Sequence, residues 1–247
     1  MAAHVKPVPN PPVDGEAATV VVLRDGVAGL EVLLLERLST GSFGGAWAFP
    51  GGRVDPEDSL PGDPEEGADD VGSSRGAAVT APVRVRRAAV RETLEETGLV
   101  LSDSGLVAFS RWVPPAQVPK RLVTWFFLAA DPGGELLISA HEHVDSIWME
   151  PAAALEHHAK GSLTLFPPTW ITLNALRGAS SVASALSAAP QPPAIFASVQ
   201  LRDESGRMTA VLWEGDAQYG DPEALGTARH RLTVARLPWV YEQPKLR

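Results

Sequence analysis

Arg91-Glu92-Thr93-Leu94-Glu95-Glu96-Thr97-Gly98-Leu99 sets three glutamates just ahead of a glycine. It closes a helix expected over Val83 to Thr97, led in by Arg84, Arg86 and Arg87 and stopped by Gly98 as a C-cap glycine. Residues three and four apart share a helix face, so Glu92, Glu95 and Glu96 crowd together, with Arg91 four before Glu95. Like charges at i,i+4 destabilise a helix by about 0.2–0.5 kcal/mol per pair, and carboxylates near a helix C-terminus oppose its dipole. A bound divalent cation reverses that sign, because clustered carboxylates are the ligands a hard cation takes. The plain alternative is a solvated acidic helix end.

Upstream, Trp47-Ala48-Phe49-Pro50-Gly51-Gly52 alternates Trp47 and Phe49 as a strand does. Its two glycines let the backbone turn sharply and approach a ligand closely. Together the two stretches resemble the Nudix box. Arg-Glu-x-x-Glu-Glu-x-Gly-apolar is its second half. The first half is a glycine, five residues and a glutamate, and counting from Gly52 places Asp58 at the acidic position. The family then runs seven residues to Arg-Glu. Here Ser59 to Val90 makes 32, an insertion of 25. A split box of this kind looks like the acyl-CoA diphosphatase branch, as do Ser110-Arg111-Trp112-Val113-Pro114 and Thr124-Trp125-Phe126-Phe127. In the second of these, Val123 and Trp125 stand where that branch often has Asp and Arg.

The resemblance implies a Nudix-type α/β/α sandwich with a mixed central sheet. It implies a hydrolase, a diphosphatase or pyrophosphohydrolase acting on a small nucleotide-derived substrate, with Mg²⁺ or Mn²⁺ as cofactor. Carried over residue by residue, Glu92, Glu95 and Arg91 are the catalytic candidates. Glu92, Glu95, Glu96 and the Gly51 carbonyl are the metal candidates. Glu142 or Asp145 would add a distal carboxylate, and Arg37 and Gly52 would approach substrate. Arg91 would orient the glutamates by ion pairing, and Asp58 would brace the loop with a reach one methylene shorter than the family's glutamate. CoA or acyl-CoA is the favoured substrate; ADP-ribose, NADH or a damaged nucleoside triphosphate are the alternatives. A nucleotide-binding regulator without catalysis is the reading from another class, and the three retained box glutamates speak against it.

Composition bounds these readings. The chain has 247 residues, 45% hydrophobic and 21% charged, with a net charge of −9. An acidic surface argues against nucleic acid or an anionic membrane as partner. The absence of cysteine excludes disulfides, thiolate catalysis and zinc-thiolate sites. No run of about 18 apolar residues and no signal peptide are seen, so a cytoplasmic protein is expected.

Along the chain, residues 1–16 are expected to be flexible, 17–178 to form the Nudix domain, 179–194 to be an Ala/Ser/Pro linker whose first part forms a short helix, and 195–247 to form a small C-terminal β extension. Strands are expected at Ala17–Leu23 and Leu30–Glu36, joined by a hairpin, and at Leu106–Val113 and Leu122–Ala130. The insert, about 59–81, is acidic and rich in Pro and Gly, with eight acidic and no basic residues from Asp55 to Asp70, and reads as a mobile loop. His141-Glu142-His143 reads as a loop entering a strand, its two histidines exposed to solvent. Pro151 starts a helix through Lys160, and Leu165 to Arg177 leads into another. Strands are expected again at Phe196–Leu201, Met208–Trp213 and His230–Leu237, packed on the main body or on a second copy of the chain as a homodimer.

Overall fold

The computed structural model describes residues 12–38, 44–64 and 80–243. Much of the segment expected to be a flexible N-terminus, and the middle of the acidic insert, lie outside these residues.

Two central strands, β1 (Gly15–Asp25) and β6 (Leu122–Ala130), run parallel in register from Gly15 opposite Leu122 to Leu23 opposite Ala130. Around them lie β2 (Leu30–Arg37), β3 (Trp47–Ala48), β4 (Gly51–Arg53), β5 (Val107–Val113), β7 (His143–Met149) and β8 (Ala194–Ala197). The order is β3-β2-β1-β6-β5-β8, with β4 paired to β1 and β7 to β2. Most pairings are antiparallel, but β5 and β8 run parallel, so the sheet is mixed.

The continuous apolar runs of β1 and β6 are explained by cover on both faces. Ala18, Val20 and Val22 of β1, with Trp125 and Phe127 of β6, bury against Val85, Ala88 and Ala89 of α1 (Val83–Thr97). Alternate residues Val21, Leu23, Phe126 and Leu128 face the other way. They meet α2 (Pro151–Ala159), α3 (Pro167–Leu176) and α4 (Val182–Ser187) through Ala154, Trp170, Leu173, Leu176 and Ala185. The result is the α/β/α sandwich of the Nudix type.

Three expectations need correction. Gly15 and Glu16 are not loose but open β1, and Asp14 is pinned by the Arg121 backbone N–H, 2.7 Å from its carboxylate. The stretch 179–194 is packed rather than a bare linker. Ser181 caps α4, and Ala185 and Ala189 are buried, their small side chains letting the chain lie close to the sheet. The expected strand Phe196–Leu201 is broken at Ser198. Its N–H bonds to the Val113 carbonyl and its hydroxyl accepts from Trp213 Nε1, so the chain leaves the main sheet there. The chain then builds a second sheet, ordered β12 (Val240–Glu242), β11 (Arg231–Thr233), β10 (Met208–Leu212) and β9 (Val199–Arg202). This sheet shares the main core. Trp213 is 1% exposed and lies edge-on to Trp112 of β5 at 5.9 Å, while Trp112 stacks on Phe196 at 4.2 Å.

Candidate active site

The last turns of α1 carry the box glutamates, and Gly98 decides where the helix ends. It takes a φ of 74° and returns its N–H to the Leu94 carbonyl, as a left-handed C-cap does. The open carbonyls of Glu96 and Thr97 accept the N–H groups of Ser139 and Leu137. That docking fixes the next segment. Glu142 and His143 both return their N–H to the Ser139 carbonyl, and the Glu142 carbonyl accepts from Leu38 at the end of β2. Two stretches far apart in sequence are thereby laid against one helix end.

The glycine turn meets α1 from the other side. Gly51 has a φ of 153°, and a Cβ there would lie 2.2 Å from the Ala18 carbonyl oxygen. Its N–H donates to Glu96 Oε2 at 2.8 Å. A Cβ on Gly52 would lie 2.4 Å from the Glu92 carboxyl carbon, so Glu92 occupies space that only glycine leaves. Glu96 is buried, Glu92 largely so, and the Glu95 side chain is 57% exposed. Burial pushes the Glu92 carboxyl above its ordinary range. The Arg91 guanidinium draws it back, and the Glu96 and Glu95 carboxylates add to the rise.

Arg91 ties both halves of the box together. Its Nε and Nη2 donate to the two Asp58 oxygens at 3.1 and 2.8 Å, a two-pronged grip on a carboxylate that is 5% exposed. Its Nη1 reaches Glu92 at 2.9 Å and Glu95 at 3.2 Å, and Nη2 also donates to the Arg53 carbonyl. Asp58 accepts from the Asp55 N–H as well. Burial alone would raise the Asp58 carboxyl, but the Arg91 hydrogen bonds and the Asp55 N–H outweigh it and hold it below the usual carboxylate range. The shorter aspartate therefore still reaches Arg91. Asp63, within the insert expected to be mobile, is also fixed. Arg87 grips it at 2.6 and 2.9 Å and holds its carboxyl down to about 2.

Beyond the box, Glu142 and His143 join Glu96, and the ligand atoms of the three lie within 4.8 Å of one another. Asp145, the other distal candidate, sits on β7 opposite Glu36, is exposed and accepts the Ser146 N–H. Arg37 ends β2 opposite His143, half-buried. The expected exposure of His143 is overturned: it is 4% exposed, with Nε2 3.1 Å from Glu96 Oε1. Residue spacing around His-x-His carries no sign of this, because the burial comes from Leu137 and Ser139 docking on α1. The adjacency of Glu142, already marked as a distal carboxylate, was the available signal.

These residues fit a divalent cation. Glu92 is desolvated beside Glu96, and buried ring nitrogens of His143 have no hydrogen-bond partner. Clustered carboxylates and an unpartnered buried imidazole at one place are the chemistry of a ligand set.

Residues 82–167, about a third of the chain, match the family model described as NUDIX domain. The match begins after the insert, so the first half of the box is joined to it only through the fold. A crystal structure of a NUDIX hydrolase from Alicyclobacillus acidocaldarius is 26% identical with a TM-score of 0.60, covering 74% of this chain and 100% of that one. A MutT NUDIX hydrolase from Burkholderia pseudomallei is 23% identical with a TM-score of 0.43, over 65% and 95% of the two chains. The NUDIX domain of Shewanella oneidensis NrtR, complexed with ADP ribose, is 17% identical with a TM-score of 0.41, over 61% and 85%. The last two are too distant to bear on activity. No curated protein matches the chain. Residues 82–167 thus match a Nudix domain, and the likeness of the fold to the Alicyclobacillus structure supports an enzyme of the pyrophosphohydrolase type.

Proposed function

We propose that the protein is a divalent-metal-dependent diphosphatase of nucleoside-diphosphate-linked compounds, with CoA or acyl-CoA as the favoured substrate. One observation carries the chemistry. The two halves of the box, separated by the insert, meet through the paired Arg91 and Asp58 at the Gly51-Gly52 turn and bring Glu92 and Glu96 to one place. The CoA preference is supported by the split box and by the Ser110 to Pro114 stretch, both features of that branch.

Glu92, Glu95, Glu96 and the Gly51 carbonyl would hold Mg²⁺ or Mn²⁺, with Glu142 adjoining. Such an ion neutralises the diphosphate and lowers the pKa of a bound water. One of Glu92, Glu95 and Glu142 would accept the proton of the attacking water as the oxygen bonds to phosphorus and the bridging P–O bond breaks. Arg91 touches no reacting atom and acts by holding Glu92 and the loop in line.

The test is hydrolysis across CoA, acyl-CoA, NADH, ADP-ribose and an oxidised nucleoside triphosphate, with Mg²⁺ or Mn²⁺ and with EDTA. Metal-dependent cleavage of the CoA compounds to an adenosine bisphosphate and a phosphopantetheine product is expected. Preference for another compound keeps the chemistry and discards CoA. Nucleotide binding without cleavage of any of them favours the regulator.

A further inference from the structure

The box glutamates leave one neighbour without a task. Among the described residues His143 is buried, and neither ring nitrogen has a hydrogen-bond partner. Nε2 nevertheless sits 3.1 Å from Glu96 Oε1. The two atoms are thus close without forming a hydrogen bond. An unpartnered buried imidazole costs on the order of 1–3 kcal/mol, so its retention beside two carboxylates asks for a third atom. In an octahedral site with bonds of about 2.1 Å, neighbouring ligand atoms stand about 3.0 Å apart, off the line of either lone pair. The separation of His143 Nε2 from Glu96 Oε1 matches that spacing, and Glu142 completes the group within 4.8 Å.

The geometry points to His143 as a nitrogen ligand of the metal site, sharing one ion with Glu96 and Glu142 and biasing the site towards Mn²⁺ or a later transition metal over Mg²⁺. This rests on the metal-dependent reading above. Imidazole suits transition metals, whereas an all-oxygen set suits Mg²⁺. Arg37 at the end of β2 pairs with His143 across the strands and is no alternative nitrogen ligand, since guanidinium stays protonated.

The test is pulsed electron paramagnetic resonance of the full chain loaded with Mn²⁺, alongside titration calorimetry with Mn²⁺ and Mg²⁺, for the wild type and His143→Gln. Wild-type protein is expected to show ¹⁴N modulation from a bound imidazole, and His143→Gln to lose it while still binding Mn²⁺. The Kd for Mn²⁺ should rise about tenfold or more in the variant, and that for Mg²⁺ by a smaller factor. Bound Mn²⁺ without nitrogen modulation in the wild type overturns the inference and leaves His143 as a packed neighbour of Glu96. Failure of the wild type to bind Mn²⁺ or Mg²⁺ overturns it too, and with it the metal-dependent reading. Should His143→Gln unfold, His143→Asn and the wild-type spectrum alone still decide the matter.

Discussion

Asp58→Ala removes the carboxylate that joins the two halves of the box, and its cost can be worked from the contacts. Asp58 accepts three hydrogen bonds, two from Arg91 at 3.1 and 2.8 Å and one from the Asp55 N–H at 2.8 Å. Removing one partner of a fully buried ion pair costs about 3–5 kcal/mol. Arg91 softens the loss, since its side chain is 26% exposed and keeps Glu92, Glu95 and the Arg53 carbonyl. About 2–3 kcal/mol is therefore expected at pH 7, read by urea unfolding as a lower midpoint at unchanged slope. The pH dependence has a definite sign. The Asp58 carboxyl is held below its unfolded value, so its stabilisation is fully present above the unfolded pKa of about 3.9 and is lost as pH falls through the folded value. The gap between wild type and variant should hold from neutral pH down to about 5 and then close. A gap under about 0.5 kcal/mol at pH 7, the level of an ordinary surface substitution, or one that widens on acidification, would refute the brace.

The same contacts give further outcomes. Gly52→Ala should keep the fold, because the obstacle is the mobile end of Glu92, yet lower kcat about tenfold to a hundredfold by displacing that carboxylate. Gly51→Ala meets backbone instead, and a lowered melting temperature by circular dichroism should accompany its loss of activity. Asp216, buried and gripped by Arg231, has its carboxyl held down to about 2, against 3.8 for the free group. It should contribute about 2 kcal/mol above pH 4 that fades towards pH 2, so Asp216→Asn should flatten stability over that range in acid titration. Trp213→Ala should cost about 3–5 kcal/mol and melt the whole chain in one transition, since Trp213 belongs to the main core; a separate early melt of the tail would contradict that.

How much of this could be read from residues alone differs by element. The bounds of α1 follow from an arginine-rich lead-in and a glycine stop, both local signals, and the structure places them at Val83 and Thr97 with Gly98 as cap. β6 likewise matches its expected Leu122–Ala130, a dense apolar run. The break at Ser198 could not be read, because it is made by Val113 and Trp213, which are distant in sequence. Asp63 looked like one more charge in an acidic loop, and only the pairing with Arg87 shows it anchored. The burial of His143 is hidden from the sequence for the same reason. Its surroundings are set by the carbonyls of α1 accepting from Leu137 and Ser139, a tertiary arrangement with no trace in the spacing of His-x-His.

The most direct measurement of the central claim is kcat of Glu96→Gln beside the wild type on the best substrate of the panel, with Mn²⁺ or Mg²⁺ and with EDTA. Gln keeps an oxygen to accept the Gly51 N–H, so the turn should hold while the charge is lost. A fall of roughly a hundredfold or more in kcat is expected, with no turnover by the wild type in EDTA, because metal-bound charge stabilisation supplies several kcal/mol. Near-wild-type turnover by Glu96→Gln, or wild-type turnover that survives EDTA, would contradict it.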